Sequence, residues 1–302
     1  MPKRWVMCIV CLLAVLGCSR QEATVPQKTA PGKTLVIGVI PEQNLFRQLE
    51  RYEPLAAYLS RKAGTKITLK ILPRYGNIVE NFKSLDMDGA FFGSFTYALA
   101  HAKLGVEVLA RPVALDNTST YHGLIFVRND SRIRTARDMK GKRFAFVDKA
   151  TTAGYLLPLN YFRDNGIPEY RAFLKEVYFT GTHEDAIRDV LDRKADIGAA
   201  KNTVFERVAK ADPRIGDELV VLARSPDVPE NALALRGDID PSLRSALKEA
   251  LLKMHLDPGG QAVLEKFGAQ RFIESTNQEY GVVVRYAEQI GLNLSTYDYT
   301  ND

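Results

Sequence analysis

Residues 144–155 read Phe-Ala-Phe-Val-Asp-Lys-Ala-Thr-Thr-Ala-Gly-Tyr. An apolar run of strand character ends at Asp148. A short turn with two hydroxyls and a glycine follows. Residues 155–162 (Tyr-Leu-Leu-Pro-Leu-Asn-Tyr-Phe) then take up helical apolar spacing. A strand, a small-residue turn and a helix start bring free backbone N–H groups and the hydroxyls of Thr151 and Thr152 to one point, a site suited to an oxyanion. Either threonine is placed to cap the helix and still face a ligand. The same stretch also fits a plain strand–turn–helix unit without a ligand, so the rest of the chain decides.

Outward from this stretch, strand and helix patterns alternate, which predicts α/β architecture. Strands are expected at residues 35–40, 67–72, 89–93 and 106–112. A helix is expected to begin at 52–59 with Pro54 in its first turn, another at 78–85, and a third at Ser94, read as its cap. A polar run at 116–120 suits a chain crossing. Strands at 121–127, 172–179, 195–200 and 219–223 follow, with a helix end and turn at 138–143 and a capped helix at 183–193. A second crossing is expected at 225–229. The remainder reads as helical, at 241–256, 258–267 and 278–290. Residues 89–94 and 195–200 are alike: each is a short buried strand after a helix that ends near an Asp. Two similarly built lobes are therefore expected, one of residues 34–116 plus 226–302 and one of residues 117–225. The two crossings form a hinge, and the cleft between lobes is the expected ligand site.

The N-terminus reads as an export signal over residues 1–17, with Lys3 and Arg4, an apolar run at 6–16, and Val15-Leu16-Gly17-Cys18 as the cleavage site. The apolar run is short for a membrane span. The last four residues resemble a bacterial lipobox, which implies that Cys18 is lipidated and anchors the chain to the outer face of a bacterial membrane. Residues 18–33, polar with Pro and Gly, read as a flexible tether. Ser19 follows Cys18, so no Asp retention signal stands there. The cysteines are Cys8, Cys11 and Cys18. After processing only the anchoring one remains, leaving neither disulfide nor catalytic thiol.

Taking the two charges of Lys3 and Arg4 from the formal +5 leaves +3 on the remainder. No basic run or aromatic–basic stripe stands out, which argues against nucleic acid. There is no Walker-type phosphate loop, no Gly-x-Ser-x-Gly elbow and no His-Glu-x-x-His. The histidines, at 101, 122, 183 and 255, lack metal-ligand spacing. The expectation is a binding protein rather than an enzyme, without metal or cofactor.

Several segments in order resemble the periplasmic phosphate-, phosphite- and phosphonate-binding proteins of ABC transporters, over residues 34–292. They are Tyr52-Glu53-Pro54-Leu55, residues 88–97, residues 121–128, residues 138–142, residues 148–155 and Gly181-Thr182-His183-Glu184. The resemblance implies a type II periplasmic-binding fold, two-lobed with a hinge and interlobe cleft. It implies a monomer that delivers a small oxyanion to a membrane permease. A ligand-sensing module of the same fold, coupled to a membrane receptor or kinase, is the alternative.

By the same resemblance, Thr151 and Thr152 match the first two hydroxyls of an anion loop, and Ala153 stands where a third is usual. Tyr121 and His183 match oxyanion donors. A helix N-terminus lowers the pKa of His183, which still donates from one ring nitrogen when neutral. Where relatives carry acidic groups for a substrate amine, Lys201 and Asn231 stand here, with Glu230 adjacent. A lysine in the cleft repels an ammonium and attracts further negative charge, which favours phosphate, phosphite, a simple phosphonate or a larger dianionic ligand. In the first lobe Ser94 and Tyr75 are the candidates to close over the ligand; Phe92 and Tyr97 read as core.

Overall fold

The computed structural model describes Met1, residues 34–72, Tyr75 and residues 78–301. The signal, the tether and Cys18 lie outside the described residues. One sheet takes its strands from both ends of the described chain: β1 (Leu35–Val39), β2 (Ile67–Ile71), β3 (Gly89–Phe92), β4 (Glu107–Ala114), β12 (Ala232–Leu235) and β13 (Ala269–Glu274), in the order β13-β4-β12-β3-β1-β2. The second is built from the middle: β6 (Gly123–Arg128), β7 (Arg143–Phe146), β8 (Glu176–Phe179), β9 (Ile197–Lys201) and β10 (Leu219–Arg224), in the order β10-β6-β9-β7-β8. Between the sheets the chain passes twice. The two passages pair with each other as β5 (Thr120–Tyr121) and β11 (Val228–Pro229).

Strand periodicity explains the layers. Leu35, Ile37 and Val39 point to one face of the first sheet, where they pack with Tyr52, Leu55 and Leu59 of α1 (Leu45–Ala63). Helices α9 (Pro241–Leu252) and α10 (Pro258–Phe267) complete that face with Leu251 and Phe267. The opposite face buries Phe82 of α2 (Ile78–Ser84), Phe95 and Leu99 of α3 (Ser94–Leu104), and Val283 and Ala287 of α11 (Gly281–Gln289). In the second sheet Phe144 and Phe146 face Phe162 of α4 (Leu157–Asp164), together with the helical turn α5 (Tyr170–Phe173). Ala145 and Phe126 face Ile187 of α6 (His183–Leu191), beside Val204 of α7 (Asn202–Ala211) and Ile215 of α8 (Arg214–Glu218).

Some sequence expectations are corrected. Helix α1 starts at Leu45, not Tyr52, because the Asn44 side chain accepts from the backbone N–H groups of Phe46 and Arg47. Pro54 is consequently inside the helix. The helix persists past it because Tyr52 meets the rings of Phe91 and Phe267 at 5.0 and 5.2 Å. Strands β12 and β13 lie outside the three helices expected after residue 229, in stretches for which no strand was expected. Their backbones pair antiparallel with β3 and β4. The single strand expected at 121–127 is two, because Tyr121 pairs with the return crossing and β6 with β9.

Topology positions the site. Strands β1, β2 and β3 run parallel, as do β7, β8 and β9. The segments leaving the carboxyl ends of β1, β3, β7, β8 and β9 supply the residues described below, as expected where open α/β sheets bind ligands.

Candidate functional site

Beyond β7, Thr151 precedes a π-type turn, Thr152–Leu156, that runs directly into α4. Thr151 stands at the N-cap position, but contrary to expectation neither threonine hydroxyl makes a cap bond to this helix. Thr151 Oγ1 donates back to the carbonyl of Asp148 at 2.6 Å. Thr152 Oγ1 instead accepts from the backbone N–H of Phe95 in the other lobe, at 2.8 Å. With no hydroxyl cap of their own, the first N–H groups of the 152–164 helix keep their capacity for another acceptor. The turn approaches β7 closely. A Cβ on Gly154 would lie 2.4 Å from the side chain of Val147 and 2.9 Å from Thr151 Oγ1, so only glycine fits.

Helix α3 opens on the facing side. Its N-cap is Gly93, not Ser94. Ser94 is fully buried, and its hydroxyl donates to the carbonyl of Pro229 in the return crossing. The Thr96 hydroxyl donates to the carbonyl of Ala150 at 3.1 Å. The two lobes are thus hydrogen-bonded across the cleft at both ends of the 150–152 turn.

A small pocket of about 10 Å³ lies here, lined by Ile40, Glu42, Tyr75, Gly93, Thr96, Tyr121, Thr151, Thr152, His183, Lys201 and Asn231. Of the residues expected from the sequence, the structure brings together Tyr75, Tyr121, Thr151, Thr152, His183, Lys201 and Asn231. Ala153 is not among them. It packs against Gly123 and lines a separate cavity of about 170 Å³ with Leu157, Asn160, Ser225 and Tyr286. Ser94 lies behind the wall, tied to Pro229.

The pocket is rich in donors. The hydroxyl of Tyr75 and the Nδ2 of Asn231 are buried and have no hydrogen-bond partner within the protein, among the described residues. Buried polar groups rarely remain so. Burial holds the Tyr75 phenol well above its ordinary pKa and raises that of Tyr121, so both are neutral donors. His183, at the first position of α6, meets Tyr75 edge-on with ring centroids 5.9 Å apart. Its Nδ1 accepts from the backbone N–H of Lys201 at 3.3 Å, which leaves the proton on Nε2. Burial pulls its pKa down to about 4, with the Lys201 charge adding and Glu42 opposing. It is a neutral donor at pH 7.

Lys201 departs from the expectation of a free cation in the cleft. It is the last residue of β9 and 3% exposed. Its ammonium lies 3.0 Å from Glu42 Oε1 and 3.1 Å from Asn231 Oδ1, and also bonds Glu230 Oε1. Its charge is met by two carboxylates. Burial raises the carboxyl pKa of Glu42, but Lys201 and Arg207 outweigh it and hold the group at about 2. Arg207 is held by Gln43 at 2.8 Å.

Glu42 and Thr96 are pocket residues that the sequence reading missed. Glu42 had one signal: an acid just past the end of β1, where ligand-contacting groups collect in such sheets.

The sequence profile of the family described as "ABC transporter, phosphonate, periplasmic substrate-binding protein" matches residues 37–280. The chain is 24% identical over 250 residues to the phosphonates-binding periplasmic protein of Escherichia coli (strain K12), covering 81% of this chain and 73% of that one. It is 24% identical over 273 residues to a probable ABC transporter phosphite-binding protein of Prochlorococcus marinus (strain MIT 9301), covering 87% and 90%. The solved structure of a Prochlorococcus marinus (MIT 9301) protein in complex with methylphosphonate superposes with a TM-score of 0.76, at 21% identity, over 85% of this chain and 98% of that one. A two-lobed type II periplasmic-binding fold and a profile match over most of the described chain agree with the donor-lined interlobe pocket, and the chain belongs to the periplasmic substrate-binding proteins of ABC phosphonate transporters.

Proposed function

We propose that this chain captures a small tetrahedral phosphorus oxyanion (phosphate, phosphite or a simple phosphonate) between its lobes and hands it to a membrane permease. The observation that carries the reading is the pair of buried donors, Tyr75 OH and Asn231 Nδ2, without protein partners among the described residues. They share a pocket with Thr151, Thr152, Tyr121 and the neutral His183. The uncapped start of the 152–164 helix adds backbone N–H groups and the favourable end of the helix dipole. Together these replace the water shell of an anion. The names of the relatives support the class: one is called phosphonates-binding, one phosphite-binding.

In this reading the lobes run over residues 34–116 plus 226–302 and over 117–225, and the paired crossings at 120–121 and 228–229 flex between them. Cys18 is lipidated, residues 18–33 tether the monomer to the outer face of a bacterial membrane, and the permease is its membrane partner. The chemistry of transport lies in a separate ATPase.

The test is calorimetric titration of the chain, unfolded and refolded to strip bound anion, with phosphate, phosphite, methylphosphonate and 2-aminoethylphosphonate. Tight binding of at least one of the first three, weakened in Thr152→Ala and His183→Ala variants, is expected. A folded protein silent to all of them sinks the proposal.

A further inference from the structure

The pocket contains a second recognition element beside the oxyanion donors. The Lys201 ammonium has three N–H donors. Each meets one oxygen: Glu42 Oε1 at 3.0 Å, Asn231 Oδ1 at 3.1 Å, and Glu230 Oε1. The ring of Tyr121 lies alongside, its centroid 4.4 Å from Nζ, a cation–π contact. Two carboxylates, an amide oxygen and an aromatic face are what any primary ammonium needs to leave water.

The residues of this cage come from three parts of the chain: Glu42 past β1, Tyr121 and Glu230–Asn231 at the crossings, and Lys201 at the end of β9. The cage shares Glu42, Tyr121, Lys201 and Asn231 with the lining of the oxyanion pocket. Asn231 Oδ1 is engaged by Lys201, while its Nδ2 has no protein partner among the described residues. Holding the amide by its oxygen fixes which end of it is left to meet an anion. A buried ion cluster of this kind adds little stability over apolar packing, and a gain in specificity is one reason such clusters persist.

We infer that Glu42, Glu230, Asn231 and Tyr121 form an ammonium subsite that the protein fills with its own Lys201, so that the pocket takes phosphorus oxyanions without an amino group and excludes aminoalkylphosphonates. The inference rests on the oxyanion reading above and deepens it. Removal of the Lys201 side chain leaves two buried carboxylates and an opening for the ammonium of a short ω-aminoalkylphosphonate, whose phosphonate occupies the same oxyanion pocket.

The experiment compares the full chain and its Lys201→Ala variant in titrations with methylphosphonate and 2-aminoethylphosphonate, and in thermal unfolding with and without methylammonium. The unaltered chain is expected to bind methylphosphonate at least about tenfold tighter than 2-aminoethylphosphonate. Lys201→Ala is expected to move that ratio by about a hundredfold toward the amine, and adding Glu230→Gln to remove the gain. Methylammonium should raise the melting temperature of Lys201→Ala and leave the unaltered chain as it is. If Lys201→Ala does not fold alone, refolding from urea with and without methylammonium reads the same cage. Equal affinity of the unaltered chain for both phosphonates overturns the inference. So does a Lys201→Ala protein that gains nothing from either amine, in which case Lys201 is only a clamp between lobes. If the unaltered chain ignores both phosphonates, the methylammonium arm judges the cage, and silence toward phosphate and phosphite as well means that the oxyanion reading has failed instead.

Discussion

Thr152 Oγ1 accepts a hydrogen bond from the backbone N–H of Phe95 at 2.8 Å, so a hydroxyl from one lobe caps a helix of the other. The N-cap of that helix is Gly93, which has no side chain to serve. Closing the cleft and satisfying the helix end are therefore one event. The bond also leaves the Thr152 proton free to point elsewhere, toward Tyr121 or an anion. Thr152→Ala removes both roles. A cap contributes about 1 kcal/mol and a hydrogen bond to a charged group about 1.5–3 kcal/mol. Oxyanion affinity should fall by roughly ten- to several-hundredfold, and Thr152→Ser should recover most of it. Calorimetry on the two variants checks this, and a Thr152→Ala protein of unchanged affinity removes the hydroxyl from the capture mechanism.

Tyr75 gives a prediction with two opposite signs. Its hydroxyl is buried without a protein partner among the described residues, so the folded protein gains nothing from it. Tyr75→Phe removes an unsatisfied polar atom and should leave the unliganded chain equally stable or more so, by up to about 1–3 kcal/mol. The same change deletes a donor to the anion and should cost roughly tenfold in affinity or more. Urea denaturation and titration on one preparation test both. A loss of stability would mean that the hydroxyl is engaged within the protein.

The alternation of strand and helix, and hence the fold, was legible because the central strands β1, β3, β6 and β9 are nearly continuous apolar runs, as strands buried on both faces must be. The start of α1 was not. Its first residues, Leu45 and Phe46, are 44% and 74% exposed, so they break the helical period that Tyr52 resumes. Strand β13 reads Ala-Gln-Arg-Phe-Ile-Glu and lies at a sheet edge, with little to mark it until β4 is in place. At the site, the hydroxyl positions of the 148–155 loop were legible as types. Their partners were not, because Thr152 bonds Phe95 and Lys201 bonds Glu42, 57 and 159 residues away. A lysine alone reads as a cation; only the fold shows two carboxylates already holding it.

Ala153 and Gly154 are neighbours with opposite tolerance. Ala153 packs on Gly123 and lines the separate cavity rather than the oxyanion pocket. Ala153→Ser should therefore place its hydroxyl outside the oxyanion pocket and leave oxyanion affinity nearly unchanged. Gly154→Ala should be severe, since its Cβ would overlap the Val147 side chain at 2.4 Å. Overpacking of this kind costs about 1–3 kcal/mol, and it shifts the turn that aims the N–H groups. Thermal melts together with titrations separate the two, and an Ala153→Ser protein that binds substantially tighter would place that side chain in the pocket after all.

Acid should loosen the molecule in two adjoining steps. His183 is held at about 4 against an ordinary value of 6.5. As pH falls below 6.5 the unfolded chain takes up that proton first, while the folded chain stays neutral until about 4. Stability present above 6.5 is thus lost between 6.5 and 4, by on the order of 3 kcal/mol. Glu42, held at about 2 against 4.5, adds a second loss of the same sign between 4.5 and 2. His183 faces Tyr75, Glu42 and Lys201, and of these only Glu42 opposes its neutral form. His183→Gln keeps an acceptor for the Lys201 N–H but does not titrate. Urea midpoints measured from pH 7 to 4 should fall for the unaltered chain and stay nearly level for His183→Gln over that window. Parallel curves for the two proteins would mean that His183 is protonated or solvated in the folded state, and that it does not serve the site as a neutral donor.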